Sequence, residues 1–227
     1  MAERVTATDI VYERLRSAIV SGELAGGEQF SIYQLAERYG VSRTPVRDAV
    51  LRLADTGMLE IQRNRGVVVR GTRVSDVREV FELRLMLEVP AAARAAATGS
   101  STLAQALDDQ LDRLAAAAEQ GDAAEFSAVD RRLHDLILGA TGNARLVSTV
   151  SSLRDSIIAY GVSTIDRSRT FGEVRTEHEP IVEAIRKGRA DEAAEAMRIH
   201  LVETGWLLMR QVAATTGENL PESWPPG

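Results

Sequence analysis

The chain has 227 residues, 44% of them hydrophobic and 26% charged, with 27 basic against 33 acidic side chains and a formal net charge of −6. This is an ordinary globular composition, with enough chain for one large domain or two small ones. Cysteine is absent, which excludes disulfides, thiolate metal sites and a cysteine nucleophile, and no apolar run approaches the roughly 18 residues of a membrane span, so a cytoplasmic protein without signal peptide or membrane contact is expected.

The charge is unevenly spread. Residues 1–73 carry 11 basic and 9 acidic side chains, whereas residues 74–227 carry 16 and 24. Within 38–73 there are 8 basic and 3 acidic groups, and Lys187 is the only lysine of the chain. A basic stretch in an acidic chain points to an anionic partner for that stretch, and arginine forks suit phosphate and guanine.

In chain order, Asp9 is expected to cap a first helix with Ile10, Leu15, Ala18 and Ile19 on one face, broken at Gly22 and Gly26-Gly27. Ser31 caps a short helix through Leu35, Ala36 and Tyr39, ended by Gly40. Ser42 caps a third helix, SRTPVRDAVLRLADTG, with Pro45 in its first turn, where a missing N–H costs little. Val46, Val50 and Leu53 form its buried stripe and Gly57 stops it. Two β-rich runs, Leu59–Ile61 and Val67–Val69, flank Arg63-Asn64-Arg65-Gly66 and read as a hairpin with a basic tip. Three helices and a hairpin make a winged helix-turn-helix.

After a linker at 71–75 the chain reads as six helices: 75–97, 101–120, 122–140, 144–161, 171–187 and 191–213. The fold class expected is therefore mainly α: a winged helix-turn-helix DNA-binding domain at 1–73, an all-α bundle at 74–215 and a disordered tail at 216–227.

Arg43 and Arg47 lie four residues apart on one face of the third helix, beside Thr44 and Asp48 and away from the apolar stripe. Two forked donors at a helix N-terminus suit the major groove, where arginine can bond guanine O6 and N7 together. Arg63 and Arg65 at the hairpin tip suit a minor groove or phosphates. The stretches IVSGELAGGEQFSIYQLAERYGVSRTPVRDAVLRLADTGML and RGVVV resemble the DNA-binding domain of the GntR family of bacterial transcription regulators. The resemblance implies that Arg43, Thr44 and Arg47 read bases and that Gly66 lets the wing approach the minor groove. Many relatives carry a charged DNA-touching residue near Tyr33; here a tyrosine could reach phosphate through its hydroxyl.

The three histidines of the chain, His134, His178 and His200, each fall on an apolar helical stripe. His134 follows Asp130 by four residues, in line with Phe126, Leu133 and Ile137. His178 lies with Val174, Ile181 and Ile185, and His200 with Ala193, Met197 and Leu207. Polar groups on buried stripes need partners, and one carboxylate with three imidazoles could converge on a divalent ion in a bundle core, or each histidine could be satisfied locally. Imidazole suits zinc, nickel, copper and iron.

FELRLMLE at 81–88, DRRLHDLIL at 130–138, TGNARL at 141–146 and EHEPIVEAIRKGRADEAAEAMRIHL at 177–201 resemble the FCD effector domain of the FadR branch of that family, in its six-helix VanR-like group. The resemblance implies that Asp130, His134, His178 and His200 hold a divalent metal, with zinc expected and nickel or another first-row ion the alternative. It also implies that Arg84 clamps a small carboxylate effector beside the ion and that the FCD domains form a homodimer. Arg84 could instead pair with Glu88 on a solvated face, and Asn143 could touch a metal-bound water or cap the next helix.

The function expected is a ligand-responsive, DNA-binding repressor, with no enzymatic activity, released by a small organic acid and reading a pseudo-palindromic operator in double-stranded DNA. The alternatives are a regulator whose metal is purely structural, and a metal-dependent hydrolase fused to a nucleic-acid-binding module.

Overall fold

The computed structural model describes residues 6–225 apart from 22, 64, 65, 166 and 167. It divides into two compact units, Met1–Arg73 with Ser156–Val162, and Val74–Asp155 with Ser163–Gly227.

The first unit contains α1 (Ala7–Val20), β1 (Gln29–Phe30), α2 (Ile32–Tyr39), α3 (Arg43–Asp55), β2 (Leu59–Gln62) and β3 (Gly66–Val69). The start of α1 corrects the sequence reading. Thr6 is the N-cap, and Asp9, three residues in, closes a capping box by accepting from the Thr6 backbone N–H at 3.0 Å while the Thr6 hydroxyl accepts from Asp9 N at 3.1 Å. The buried face also shifts by one residue: Val11 is buried with Leu15, Ala18 and Ile19, while Ile10 is exposed. Ser31 and Gln34 form the capping box of α2, and Gly40 ends it in the left-handed conformation. Ser42 sits at the N-cap of α3 without a side-chain cap bond.

β1 was not legible as a strand because it is two residues long. It pairs antiparallel with β3, which also pairs with β2, giving the order β1-β3-β2. Gly66 makes the pairing possible: its φ is +91°, and a Cβ there would lie 2.3 Å from the Phe30 carbonyl oxygen. The core of this unit is formed by Val11, Leu15, Leu35, Val46, Val50, Leu53, Val67 and Val69, all nearly inaccessible.

The second unit is helical: α4 (Val74–Ala97), α5 (Ser101–Gln120), α6 (Ala123–Gly139), α7 (Ala144–Ala159), α8 (Phe171–Arg186) and α9 (Ala190–Thr216), with the end of α7 clustering in the first unit. α4 packs along α9, α5 against α6 and α8, and α8 against α9. Small residues set the spacing. Ala91, Ala92, Ala95 and Ala96 are buried on α4, and a Cβ at Gly205 of α9 would meet the Phe81 ring at 3.0 Å.

Of the tail expected to be disordered at 216–227, the described residues 216–225 make defined contacts. α9 runs to Thr216, the Glu218 carboxylate accepts from Val74 N at 2.9 Å, and Trp224 Nε1 donates to the Val202 carbonyl at 2.9 Å. An indole that is part-buried with its N–H satisfied anchors a chain end that composition alone reads as loose. Among the described residues no helix is long and apolar enough to cross a membrane.

Candidate functional site

Two sets of side chains stand out, one in each unit. In the first, Arg43, Thr44, Arg47 and Asp48 are exposed on the face of α3 opposite its buried Val46, Ala49, Val50 and Leu53. Tyr33 of α2 is 58% exposed, and the Arg43 guanidinium lies 5.3 Å from its ring centroid. Arg63 is exposed beside the wing strands, and Arg65 lies outside the described residues. The structure thus gathers Tyr33, Arg43, Thr44 and Arg47 at the beginnings of α2 and α3.

In the second unit, α6, α8 and α9 bring His134, His178 and His200 together, with ligating atoms all within 4.8 Å of one another. His134 and His178 are fully buried, and His200 is 5% exposed. Their Nδ1 atoms are each committed outward from the cluster. His134 Nδ1 is 2.6 Å from Glu88 Oε2, His178 Nδ1 is 2.7 Å from the Val174 carbonyl, and His200 Nδ1 is 3.3 Å from Glu177 Oε2. A carbonyl has no proton to give, and neither has an ionised carboxylate, so Nδ1 is the donor in all three contacts and the Nε2 atoms are the ring nitrogens turned toward the cluster. The Nε2 atoms of His134 and His178 face each other at 3.3 Å. Imidazole nitrogens gathered this closely, with a carboxylate beside them, are a donor set that fits a divalent ion.

Asp130, four residues before His134, reaches His178 Nε2 with Oδ1 at 3.2 Å, while its Oδ2 is bonded by Arg154 of α7. The three imidazoles are the group whose donor atoms lie together and could hold an ion, and Asp130 adjoins them through His178. The histidines are not separate, although each has its own partner at Nδ1.

The electrostatics keep the donors ready. Burial first, and then the positive Arg154, lowers His134 to about 4; burial and the neighbouring His178 lower His200 to about 3. Burial would raise the carboxyls of Asp130 and Glu88. Arg154 outweighs it at Asp130, and Arg84 with His134 outweighs it at Glu88, so both stay well below the usual carboxylate range.

The solvated Arg84 pair corrects itself into a buried one. Arg84 Nε donates to Glu88 Oε1 at 2.6 Å, both side chains are buried, and the guanidinium lies 4.8 Å from the Phe81 centroid. Arg84 thus reaches the cluster through Glu88. Asn143 is exposed, and its Oδ1 caps α7 by accepting from Arg145 N at 3.1 Å and Leu146 N at 3.2 Å. Among the contacts of the described residues, none joins Asn143 to the imidazoles.

Sequence reasoning missed four groups: Glu88 as partner of His134, Arg154, Glu177 and Arg169. Arg169, in the loop before α8, bonds Glu177 and also donates to Thr164 Oγ1 at 2.8 Å and Thr204 Oγ1 at 3.1 Å. Glu177, adjacent to His178 in EHE, was the one with a local signal. Arg154 and Arg169 carry none, because their partners lie on other elements. A groove of about 490 Å³ reaches His200 and Glu177, with Glu195, Glu203 and Ile199 among its walls.

Residues 7–69 match the family profile of bacterial regulatory proteins, gntR family, and residues 79–203 match the FCD domain. The chain is 27% identical over 193 residues to the HTH-type transcriptional repressor RspR of Escherichia coli, covering 85% of each. It is 28% identical over 196 residues to the gluconate operon transcriptional repressor of Bacillus subtilis, covering 84% of this chain and 80% of the relative. The solved structure of Lar, described as controlling expression of the Listeria monocytogenes agr system, superposes with a TM-score of 0.71 at 20% identity, over 92% of this chain and 99% of that one.

Proposed function

The chain belongs to the gntR family of bacterial regulatory proteins with an FCD domain, transcription regulators and not enzymes, and from that premise we propose a homodimeric repressor that binds double-stranded DNA through its first unit and senses a small anionic effector through its second. Two sequence relatives named as repressors support the sign of regulation. Arg43, Thr44 and Arg47 read base edges, and Tyr33, Arg63, Arg65 and Gly66 serve the contacts around them. One such helix per subunit reads one half of a pseudo-palindromic operator in the cytoplasm.

The observation that carries the sensing role is the charge balance around the imidazoles. Three nearby carboxylates have their own arginines: Glu88 with Arg84, Asp130 with Arg154, Glu177 with Arg169, while a buried oxygen of Asp135, close to Arg154, has no hydrogen-bond partner among the described residues. A divalent ion held by Asp130, His134, His178 and His200 would bring two positive charges into this buried cluster. A buried surplus of charge is costly, and a small carboxylate completing the ion's coordination neutralises it. Zinc fits three imidazoles and a carboxylate, as do nickel and other first-row ions. The ion supplies an electrophilic anchor for the effector. Glu88, Glu177 and the Val174 carbonyl orient the imidazoles, Arg84 holds Glu88, and Arg154 is the cation beside Asp130 that an acidic ligand meets. The carboxylates along the groove at His200 suit entry of the ion rather than of the acid.

A second reading, a purely structural ion, is favoured by the full burial of His134 and His178. One experiment separates the two. Zinc-loaded protein is melted with a panel of small organic acids, with and without chelator, and its affinity for a duplex selected from randomised DNA is measured under the same conditions. An acid at a hundred times its Kd adds about 2.7 kcal/mol and raises Tm. Stabilisation and release of DNA that need both acid and metal, and that vanish in His178→Ala, support the sensor. A Tm lowered by chelator with no response to any acid supports the structural ion. No selected duplex at all overturns the DNA-binding reading.

A further inference from the structure

Several arginines of the first unit pair with carboxylates: Arg38 with Glu23, and Arg52 with Asp9 while its guanidinium also lies 4.3 Å from the Tyr12 ring centroid. Among the described residues no carboxylate pairs with Arg43; the group facing its guanidinium is the ring of Tyr33, 5.3 Å away at the centroid. The difference matters chemically. A carboxylate would occupy the N–H fork and cancel its charge. An aromatic face attracts the cation through the ring quadrupole and leaves the N–H donors at the guanidinium's edge open. A guanidinium held by its face is the form that can still bond two acceptors of a base side by side.

The backbone places the ring for this task. The Ser31–Gln34 capping box fixes the entry into α2, and Leu35 and Ala36 are its buried residues. Tyr33 is left outward at its second position, with more than half of its surface in solvent, where burial gives it nothing. Arg43 is the first residue of α3, so its long side chain has no preceding helical turn to pack on. Without a partner it would sample many rotamers, and binding would have to order it.

We propose that Tyr33 is a positioning residue for base reading: its ring holds the Arg43 guanidinium at the start of α3 while leaving the donors free for a base pair. The proposal rests on the reading of α3 as the base-reading helix. It gives Tyr33 a role through its ring, where the sequence suggested a phosphate contact through its hydroxyl.

The test uses the full chain and a duplex selected from randomised DNA by the wild-type protein, together with single-base variants of that duplex. Four proteins are compared with wild type: Tyr33→Ala, Tyr33→Phe, Arg43→Ala and the double variant Tyr33→Ala/Arg43→Ala. Tyr33 is exposed, so the variants are expected to fold, and thermal melting checks it. Expected is a two- to five-fold loss of affinity, roughly, in Tyr33→Ala, with a flattened preference at the same base pair that Arg43→Ala flattens. Tyr33→Phe keeps both affinity and preference, and Tyr33→Ala adds nothing once Arg43 is gone. A Tyr33→Phe loss equal to that of Tyr33→Ala and uniform over all sequences overturns the proposal in favour of the hydroxyl. So does a full additive loss in the double variant, or an unaltered preference in Tyr33→Ala where Arg43→Ala flattens it. If Arg43→Ala itself keeps the full preference, the base-reading assignment of this arginine falls and the proposal falls with it.

Discussion

Glu88 Oε2 lies 2.6 Å from His134 Nδ1, and both side chains are buried. The contact fixes the ring so that Nε2 faces His178. Arg84, bonded to the other carboxylate oxygen, keeps Glu88 ionised and in place. A carboxylate behind a ligating imidazole raises its basicity and holds its tautomer. Glu88→Gln should therefore weaken zinc binding by about 10- to 100-fold, measured by chelator competition. The same substitution leaves the Arg84 charge buried without its partner, so a loss of roughly 3–5 kcal/mol in chemical denaturation should accompany it. Unchanged zinc affinity in folded Glu88→Gln would remove Glu88 from the site.

Arg47 is exposed on the same face of α3 as Arg43 and Thr44. Arg47→Ala should cost about 1–3 kcal/mol of binding to the selected duplex and relax the preference at one base pair. Titrations at several salt concentrations distinguish this from a phosphate contact, whose loss weakens all sequences alike and lowers the salt slope by about one. A uniform loss would assign Arg47 to the backbone.

Gly66 opens β3 with φ at +91°, and a Cβ at this position would lie 2.3 Å from the Phe30 carbonyl oxygen. That neighbour is backbone and cannot swing aside. Gly66→Ala should cost about 1–3 kcal/mol of stability and disturb the pairing of β1 with β3. Hydrogen exchange at Val67 and Phe30 would report the disturbance. Protection equal to wild type would mean that the close approach is relieved without cost.

Asp9 is half-buried, and its carboxyl is pushed down to about 2 by the Thr6 hydroxyl, the Arg52 guanidinium and the Thr6 backbone N–H. Because the folded value lies below the unfolded 3.8, the unfolded chain takes up the proton first as pH falls. The stabilisation is thus complete above about pH 4 and is lost as pH falls through about 2. The difference in Tm between wild type and Asp9→Asn should be constant from pH 7 to about 4 and shrink below it. A difference that grows on acidification would reverse this assignment.

The bundle's helix boundaries were legible because capping residues and left-handed glycines act locally. Ser100 and Gly121 frame α5, and Gly142 and Gly188 mark breaks within a residue or two of those expected. The histidines were legible as inward-facing, since the stripes through Phe126, Val174 and Met197 fix which side of each helix is buried. The start of α1 and its outward Ile10 were misread because Thr6 and Asp9 are both good capping residues, and only the packing of Val11 decides between the two registers.

The sequence by itself determined the order of the helices, the exposed arginine face of α3 and the inward placement of His134, His178 and His200, with Asp130 one turn before His134. Helical periodicity and capping operate over three or four residues, and these features need no more. Only the tertiary structure decided what each of those groups touches. Arg84 is a buried partner of Glu88, Arg154 holds Asp130, Arg169 holds Glu177, and Trp224 returns the chain end to α9. Apart from Arg84 and Glu88, these partners are separated by eight to 24 residues, beyond the reach of a single helical turn. Burial then sets the chemistry: once water is excluded, each carboxylate needs a cation, and which cation it finds depends on how the helices pack.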